Sequence, residues 1–334
     1  MNIAIIDINN EYGGGQVFIK NVLTKIDGDK TFILKSNKLA QEIKGAILIK
    51  ANNFLKIAKE IEDYLNKIKP DVVILNGGFA LFLPIVFRKK RKYLFYKHAT
   101  YKGVSSKKRL IFFLIMNLAY FYAKKIICVS NYCAKEELFF KKKLCVIYHG
   151  VNLDNNVKFY NHNNKNKLLF IYVGRIVKEK GCDLIFDYFA NTKLEDRELI
   201  VVGDEKKSNF PIEQYKTAKN IIFKGLQDNI NEILCKSDFL ITLPTNEAFG
   251  LTIIEAMANG VIVIATNVGG IPEIVSNGNN GFLIEPKNLT SFLDSINNRN
   301  SFNTIQENAF LKVKSCFDIN NEIESINNVI KDIL

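Results

Sequence analysis

The sequence predicts an α/β protein made of two doubly wound domains in tandem. Its 334 residues exceed what a single hydrophobic core usually holds and suit two domains. Short apolar runs alternate with helical patterns throughout, which indicates parallel sheets covered on both faces. The alternation stops at residues 154–167, which are rich in Asn and Lys and predict a linker. We therefore expect domains at 1–158 and 159–315, with a C-terminal helix at 316–334 that crosses back to the first.

Each predicted strand is a short buried run that ends before a loop. Ligands bind such sheets at the carboxyl ends of the strands, so we expect the chemistry directly after them. In the first half, helices are predicted at 16–26 and 53–68. The predicted strands are residues 2–7, 31–35, 46–49, 71–75, 93–96, 126–129, 145–148, 168–173, 199–202, 221–223, 239–243, 261–265 and 282–284.

The net charge of +12 is unevenly distributed, with +16 on residues 1–158 and −4 on the rest. Such a basic half suits nucleic acid, an anionic membrane or an anionic acceptor, and it also suits simple solubility. The six cysteines form no C-x-x-C pair, which favours free thiols and a cytoplasmic location. The N-terminus has no basic region before its apolar run, so it predicts a first strand rather than a signal peptide.

A cationic turn follows the strand predicted at 168–173. Gly174 and Arg175 come first, and Lys180 and Gly181 then open a helix. Glycines let the backbone approach a ligand, a helix N-terminus favours anions, and the two cationic side chains add fixed charge. Taken alone, this pattern is equally typical of an ordinary strand-to-helix turn.

Two glutamates bracket the start of the helix predicted after the 239–243 strand. Glu247 precedes this helix, and Glu255 is predicted two turns inside it. Eight helical residues rise about 12 Å, so the two carboxylates do not form an acid/base pair on one atom. They suit hydroxyls at the two ends of a nucleotide sugar. The amides expected to meet phosphate oxygens belong to Phe249, Gly250, Leu251 and Thr252.

Together these motifs are specific. Glu-x7-Glu around Phe-Gly-Leu, then Glu-Ala-Met-Ala-x-Gly, a strand and Thr-Asn-Val-Gly-Gly-Ile-Pro-Glu at 266–273, resembles the retaining glycosyltransferases of family four. The Gly-Arg-x4-Lys-Gly element at 174–181 and Gly-Asn-Asn-Gly-Phe-Leu at 278–283 fit the same family. The resemblance covers nearly all of residues 168–286. It implies the GT-B fold, in which two Rossmann-like domains face each other across a cleft.

The resemblance also implies roles by position. Arg175 and Lys180 resemble the pair that neutralises the diphosphate leaving group, beside Gly174. Glu247 resembles the residue that contacts hydroxyls of the donor sugar, and Glu255 the one that holds the ribose. Residues around Gly203 and Leu226 fall where the family places the base.

In the first half, Gly14 and Gly15 belong to a loop that resembles the family's flexible glycine loop. The loop is no G-x-G-x-x-G, which disfavours a nicotinamide cofactor. His98 follows the 93–96 strand, where the family often has a histidine near the donor sugar, although Ala99 replaces the usual Asp or Asn. A tight turn and a structural histidine are the alternatives. His149 stands where relatives tend to have Asn.

No metal or resident cofactor is expected; the nucleotide sugar is a co-substrate. Asp27-Gly28-Asp29 matches the D-x-D metal motif of the other large glycosyltransferase fold, but it follows a helix rather than a central strand. Turn chemistry around Gly28 predicts a surface turn instead. Arg175 and Lys180 would supply the positive charge at the diphosphate.

The predicted function is transfer of a hexosyl group from a nucleotide sugar. A UDP-sugar is the favoured donor, and GDP-mannose is the next. The acceptor is expected to be a saccharide or lipid-linked saccharide in cell-surface lipopolysaccharide, O-antigen or capsule synthesis. Basic clusters at 88–92 and 107–109 beside the apolar run 110–123 predict peripheral binding to the inner face of the plasma membrane. That run is too short to span a bilayer.

Two alternatives stay open. One is a glycosyltransferase acting on a small soluble acceptor. The other is a nucleic-acid-binding protein without transferase activity, although the chain lacks aromatics interleaved for base stacking and any recognised binding motif, so no nucleic acid partner is expected.

Overall fold

The computed structural model describes residues 1–10, 13–87, 90–100, 106–137, 139–153, 167–227, 229–297 and 299–334, with the backbone alone at 106–112, 299 and 300. The chain divides into two compact units. The first contains Met1–His149 and Ile319–Leu334, and the second contains Gly150–Asp318. The boundary expected at residue 158 and most of the expected linker lie outside the described residues. The last helix belongs to the first unit.

The first unit is built on a parallel sheet, with seven strands among the described residues. The strand order β3-β2-β1-β4-β5-β6-β7 reverses beside β1, which is the doubly wound arrangement. The strands are β1 (Asn2–Asp7), β2 (Asp29–Leu34), β3 (Ile47–Leu48), β4 (Val72–Asn76), β5 (Tyr93–Lys97), β6 (Ala123–Cys128) and β7 (Leu144–Val146).

Helices of the first unit connect these strands, and one returns from the C-terminus. They are α1 (Gly14–Phe18), α2 (Asn37–Glu42), α3 (Phe54–Ile68), α4 (Leu83–Val86), α5 (Ser106–Tyr122), α6 (Asn131–Lys135) and α13 (Ile319–Ile333).

The α3 helix illustrates how the sequence sets these elements. Its buried residues recur at helical spacing, and the Asn53 side chain caps its start by accepting a 3.0 Å hydrogen bond from the Leu55 amide. A cap of this kind stabilises a helix by about 1 kcal/mol.

The second unit repeats the same arrangement. Its sheet, with six described strands, has the order β10-β9-β8-β11-β12-β13 and is parallel. Its strands are β8 (Leu168–Val173), β9 (Arg197–Val202), β10 (Ile221–Gly225), β11 (Phe239–Thr242), β12 (Ile262–Thr266) and β13 (Phe282–Ile284). Its helices are α7 (Cys182–Asn191), α8 (Asn231–Leu234), α9 (Leu251–Ala258), α10 (Ile271–Ile274), α11 (Leu289–Asp294) and α12 (Asn303–Cys316).

All thirteen predicted strands match strands of the described chain, with ends shifted by up to three residues. The helix expected at 16–26 is different, because α1 ends at Phe18 and a π-helical segment follows at Ile19–Leu23. Phe18, Ile19, Val22 and Leu23 are all buried.

Candidate active site

Three loops meet at the carboxyl edge of the second sheet, after β8, β9 and β10. The Gly174 amide donates to the Val202 carbonyl and the Gly203 amide to the Gly225 carbonyl, each at 3.0 Å. A Cβ on Gly203 would lie 2.2 Å from the Gly174 carbonyl oxygen, so no side chain fits there. Leu226 is the first residue after β10, and 73% of its surface is exposed beside the backbone of these two glycines.

The turn between β8 and α7 packs tightly against the end of β11. Gly181 has φ +72°, and a Cβ there would lie 2.4 Å from the Leu243 carbonyl oxygen. The Thr245 amide donates to the Glu179 carbonyl at 2.9 Å. This packing places the Lys180 ammonium 2.5 Å from Oε2 of Glu247, so two predicted site residues form an ion pair.

The loop after β12 holds Glu247 from the other side. The Gly270 amide donates to the Glu247 carbonyl at 2.9 Å. Gly269 has φ +62°, and a Cβ there would lie 1.9 Å from the same carbonyl oxygen. Oε1 of Glu247 accepts a 3.0 Å hydrogen bond from the Ala248 amide. The backbone of Glu247 is therefore fixed by glycines that were part of the recognised sequence pattern.

Gly269→Ala is expected to damage this loop much more than the matched change Gly278→Ala. Both glycines have positive φ, +62° and +74°, but Gly278 has no atom within 4 Å of an added Cβ. Both variants lose about 1 kcal/mol to backbone strain, and Gly269→Ala should lose about 2 kcal/mol more because Glu247 must move. Chemical denaturation measures the difference. Equal losses in the two variants would contradict the described packing.

Glu255 lies on α9 as an unpaired carboxylate. Because α9 begins at Leu251, Glu255 lies one turn inside the helix; the expectation of two turns was wrong, since Glu247–Gly250 precede the helix. Among the described residues, no hydrogen-bond or ion-pair partner contacts its side chain. Burial raises its pKa to about 7. Glu255 is half-buried by solvent exposure. A carboxylate that is largely withdrawn from water and has no described partner is costly, which is typical of a group that binds a ligand.

The start of α9 offers free backbone donors. Gly250 has φ +115° and begins the helix, and within the described chain the amides of Gly250, Leu251 and Thr252 donate to no backbone carbonyl. Phe249 is buried and its ring packs edge-on against that of Phe317. Arg175 is exposed, and no described residue forms an ion pair with it. This edge of the sheet therefore presents a cationic side chain and unpaired amides together.

A second polar cluster lies at the carboxyl edge of the first sheet. The Asn76 side-chain amide donates to Asp7 at 2.6 Å and to the Gly15 carbonyl at 3.2 Å. Gln16 donates to Asp7 at 3.2 Å. Nε2 of His98 lies 2.7 Å from Oδ1 of Asn76. The start of α1 and His98 are thus joined through Asp7 and Asn76, two buried residues that the sequence analysis did not select.

The cluster continues to the last helix. Nδ1 of His98 lies 3.2 Å from Nε2 of His149, and Nδ1 of His149 lies 2.8 Å from Oε1 of Glu322. The Tyr96 hydroxyl donates to the same oxygen at 3.0 Å. Both ring nitrogens of His98 therefore have protein partners. Burial and the neighbouring His149 lower the pKa of His98 well below its usual value.

Several known proteins are similar to this chain in sequence. Residues 154–300 match the family "Glycosyl transferases group 1", and residues 44–155 match "Glycosyltransferase Family 4". A Klebsiella pneumoniae protein, described as an uncharacterised 41.2 kDa protein in a cps region, is 30% identical over 69% of this chain and 68% of its own length. An uncharacterised glycosyltransferase of Methanocaldococcus jannaschii is 31% identical over 72% of this chain and 62% of its own length.

The chain belongs to the family-four, group 1 glycosyltransferases. The fold agrees, because the crystal structure of Anabaena HepE in complex with UDP-glucose superposes with a TM-score of 0.86 at 20% identity, covering 99% of this chain and 100% of the other. This likeness identifies the fold as GT-B.

In this glycosyltransferase, the predicted donor residues all lie at or beside one edge of the second sheet. They are Gly174, Arg175, Lys180, Gly203, Leu226, Glu247, Phe249, Gly250, Leu251, Thr252 and Glu255. Gly14 and Gly15 are the first two residues of α1, so the expectation that they lie in a loop was wrong. With His98 they lie at the equivalent edge of the first sheet. The role of each stays a prediction.

Two other features at strand ends have structural explanations: Ser130, which follows β6, and the Asp27-Gly28-Asp29 sequence before β2. The side chain of Ser130 caps α6 by accepting a 3.1 Å hydrogen bond from the Cys133 amide. Asp27-Gly28-Asp29 forms a turn in which Gly28 has φ +98° and Asp29 begins β2. Ser130 therefore acts as a helix cap, and Asp27-Gly28-Asp29 forms a turn, as the sequence predicted.

Proposed function

We propose that this glycosyltransferase transfers a hexosyl group from a nucleotide sugar, preferably a UDP-sugar, with retention of configuration and without a metal ion. The observation that carries the proposal is the edge of the second sheet. There the Lys180–Glu247 ion pair lies beside α9, whose Glu255 and first amides have no partner among the described residues. This combination suits a ligand with two anionic phosphates between two hydroxylated sugars.

The cationic side chains would meet the diphosphate. As the nucleoside diphosphate departs, charge develops on its β-phosphate while the sugar gains oxocarbenium character. Arg175, Lys180 and the amides at the start of α9 would stabilise that charge more in the transition state than in the ground state. Glu247 accepts from Lys180 at 2.5 Å, so it would orient the ammonium before the donor arrives.

The carboxylates would meet the two sugars. Glu255 has no partner among the described residues, so two ribose hydroxyls can donate to it without displacing a protein contact. Glu247 would accept from hydroxyls of the transferred hexose. The exposed Leu226 side chain beside Gly203 offers an apolar surface to the base.

Nucleotide selectivity tests the proposal. UDP-glucose, GDP-mannose and ADP-glucose are titrated separately, with EDTA present, and the midpoint of thermal unfolding is followed. A donor at a hundred times its Kd stabilises a protein by about 2.7 kcal/mol, which is a shift of several degrees. We expect the UDP-sugar to give the largest shift. No shift with any nucleotide sugar would contradict the proposal, and a larger shift with GDP-mannose would reassign the base.

We further propose that the acceptor is a saccharide or lipid-linked saccharide of a cell-surface polysaccharide, such as lipopolysaccharide, O-antigen or capsule, reached at an anionic membrane surface. The Klebsiella relative lies in a cps region. Among the described residues, no helix is long and apolar enough to cross a membrane. A peripheral contact through the surface of the first unit would bring the enzyme to such an acceptor.

An apolar patch supports this contact. It consists of Leu114, Leu118 and Phe121 on one face of α5, together with Phe139, all of them exposed. The Phe139 ring lies 6.2 Å from that of Phe113. The exposed lysines 124, 141 and 142 follow these elements directly. Apolar side chains beside lysines suit an anionic bilayer. The basic residues 88–89 and the side chains of 107–109 lie outside the described part of the chain.

Vesicle binding tests this surface. Anionic vesicles should bind the protein better than neutral ones, and binding should fade as salt rises. Leu118→Glu should lower binding about tenfold, because a buried leucine contributes about 1.5–3 kcal/mol. Leu311→Glu is the matched control, since Leu118 and Leu311 are 51% and 58% exposed. Equal binding to both vesicle types would favour the alternative of a small soluble acceptor.

A further inference from the structure

The buried hydrogen-bond cluster of the first unit fixes the protonation of its own histidines. The side-chain nitrogen of Asn76 donates to Asp7 and to the Gly15 carbonyl, so its oxygen is left to accept. Nε2 of His98, 2.7 Å from that oxygen, must therefore carry a proton. His98 is neutral because burial lowers its pKa, and its Nδ1 is thus an acceptor.

The acceptor at His98 determines the state of His149. Nε2 of His149 lies 3.2 Å from Nδ1 of His98 and must donate to it. Nδ1 of His149 faces Oε1 of Glu322 at 2.8 Å. The Tyr96 hydroxyl donates to that oxygen as well, which is the environment of an ionised carboxylate. Donation from both nitrogens would make His149 an imidazolium paired with Glu322.

We propose that the Glu322–His149 ion pair is a positioning device that holds His98 as its neutral Nε2–H tautomer and, through Asn76, holds the start of helix α1 at Gly15. Its value for catalysis rests on the proposed function.

Burial strengthens the hydrogen bonds that connect Glu322 to His98. The side chains of Asp7, Asn76, His149 and Glu322 are nearly inaccessible to solvent. In a low-dielectric site, water cannot replace a lost partner, and each hydrogen bond polarises the next. The ring of His98 also stacks on Tyr96 at 4.8 Å and contacts Phe18 edge-on at 5.1 Å, which restricts its rotation. A change at Glu322 should therefore alter which nitrogen of His98 carries the proton, without a large movement of the His98 ring.

Nitrogen NMR of the full-length protein tests the proposal directly, because the chain has only three histidines. Two-bond proton–nitrogen spectra of labelled histidine at pH 7.5 should show His149 protonated on both nitrogens and His98 on Nε2 alone. In Glu322→Leu, His149 should become neutral and His98 should populate both tautomers. In Tyr96→Phe, both signals should keep their wild-type form. A neutral His149 in the wild type, or an Nδ1–H His98, would overturn the proposal.

Kinetics separates positioning from a purely structural role. At a temperature well below the unfolding midpoint, Glu322→Leu should lower kcat about tenfold. Glu322→Gln should stay within about threefold, because its amide can donate to Nδ1 of a neutral His149, which still donates to His98. Wild-type kcat in folded Glu322→Leu would overturn the proposal. The NMR result does not depend on activity. A wild-type protein without transferase activity would therefore count against the proposed function alone.

Discussion

Replacing Lys180 with alanine is expected to lower kcat by about a hundredfold or more and to change the donor KM much less. The ammonium would stabilise charge that appears on the departing diphosphate, and such interactions act mainly in the transition state. The change also leaves Glu247 without its 2.5 Å partner. Steady-state kinetics with a saturating acceptor gives both parameters.

Two companion variants make this test sharper. Lys180→Arg keeps the charge and should recover part of kcat, although the guanidinium differs in shape. Lys178→Ala removes an exposed lysine of the same turn and should leave kcat within about twofold. If Lys180→Ala raised KM while kcat stayed constant, the lysine would bind substrate and transition state equally, and its assigned role would be wrong.

Replacing Glu255 with glutamine is expected to change stability and donor affinity in opposite directions. Donor affinity should fall about tenfold or more, because charge-assisted hydrogen bonds to ribose hydroxyls are lost. The free energy of unfolding should rise by about 1–3 kcal/mol at pH 8, because the removed charge is half-buried and has no partner among the described residues. Calorimetric titration with UDP and urea denaturation measure the two quantities.

The pH dependence of the stability gain follows from the direction of the pKa shift. Burial raises the pKa of Glu255 to about 7 in the folded protein, from an ordinary value of 4.5. The carboxyl group therefore favours the folded state below pH 4.5, and this contribution is lost as the pH rises through 7. The gain from glutamine should accordingly be small near pH 4.5 and largest above pH 7. The exposed Glu307→Gln serves as the control, with no effect on either quantity. A folded Glu255→Gln variant with unchanged donor affinity would contradict the ribose assignment.

Most of the fold could be predicted because its determinants are local. The central strands are continuous apolar runs that lie in the sheet buried on both faces, as β4 and β12 do. The end of α9 was equally readable, since Gly260 follows it with φ +70° and the Val261 amide bonds back to Ala256. The donor motifs were recognisable because their residues are contiguous in short loops.

The first unit's polar cluster could not be predicted, because it is assembled from distant segments. Asp7 and Asn76 end neighbouring strands 69 positions apart, and their position at strand ends was the one available signal. Glu322 lies 173 positions from His149, in an amphipathic helix where an acidic residue is ordinary. The register of α9 was misjudged because the Phe-Gly-Leu segment also fits a helical periodicity.

The stereochemistry of the released sugar tests the central claim most directly. The protein is incubated with an α-linked UDP-sugar and EDTA, and proton NMR follows the anomeric signals of the fresh product before mutarotation. Water serves as acceptor where no saccharide is supplied. Retention without a metal predicts that the α-anomer appears first and at the same rate with or without EDTA. A β-anomer appearing first, or a product formed only after Mn²⁺ is restored, would contradict the account.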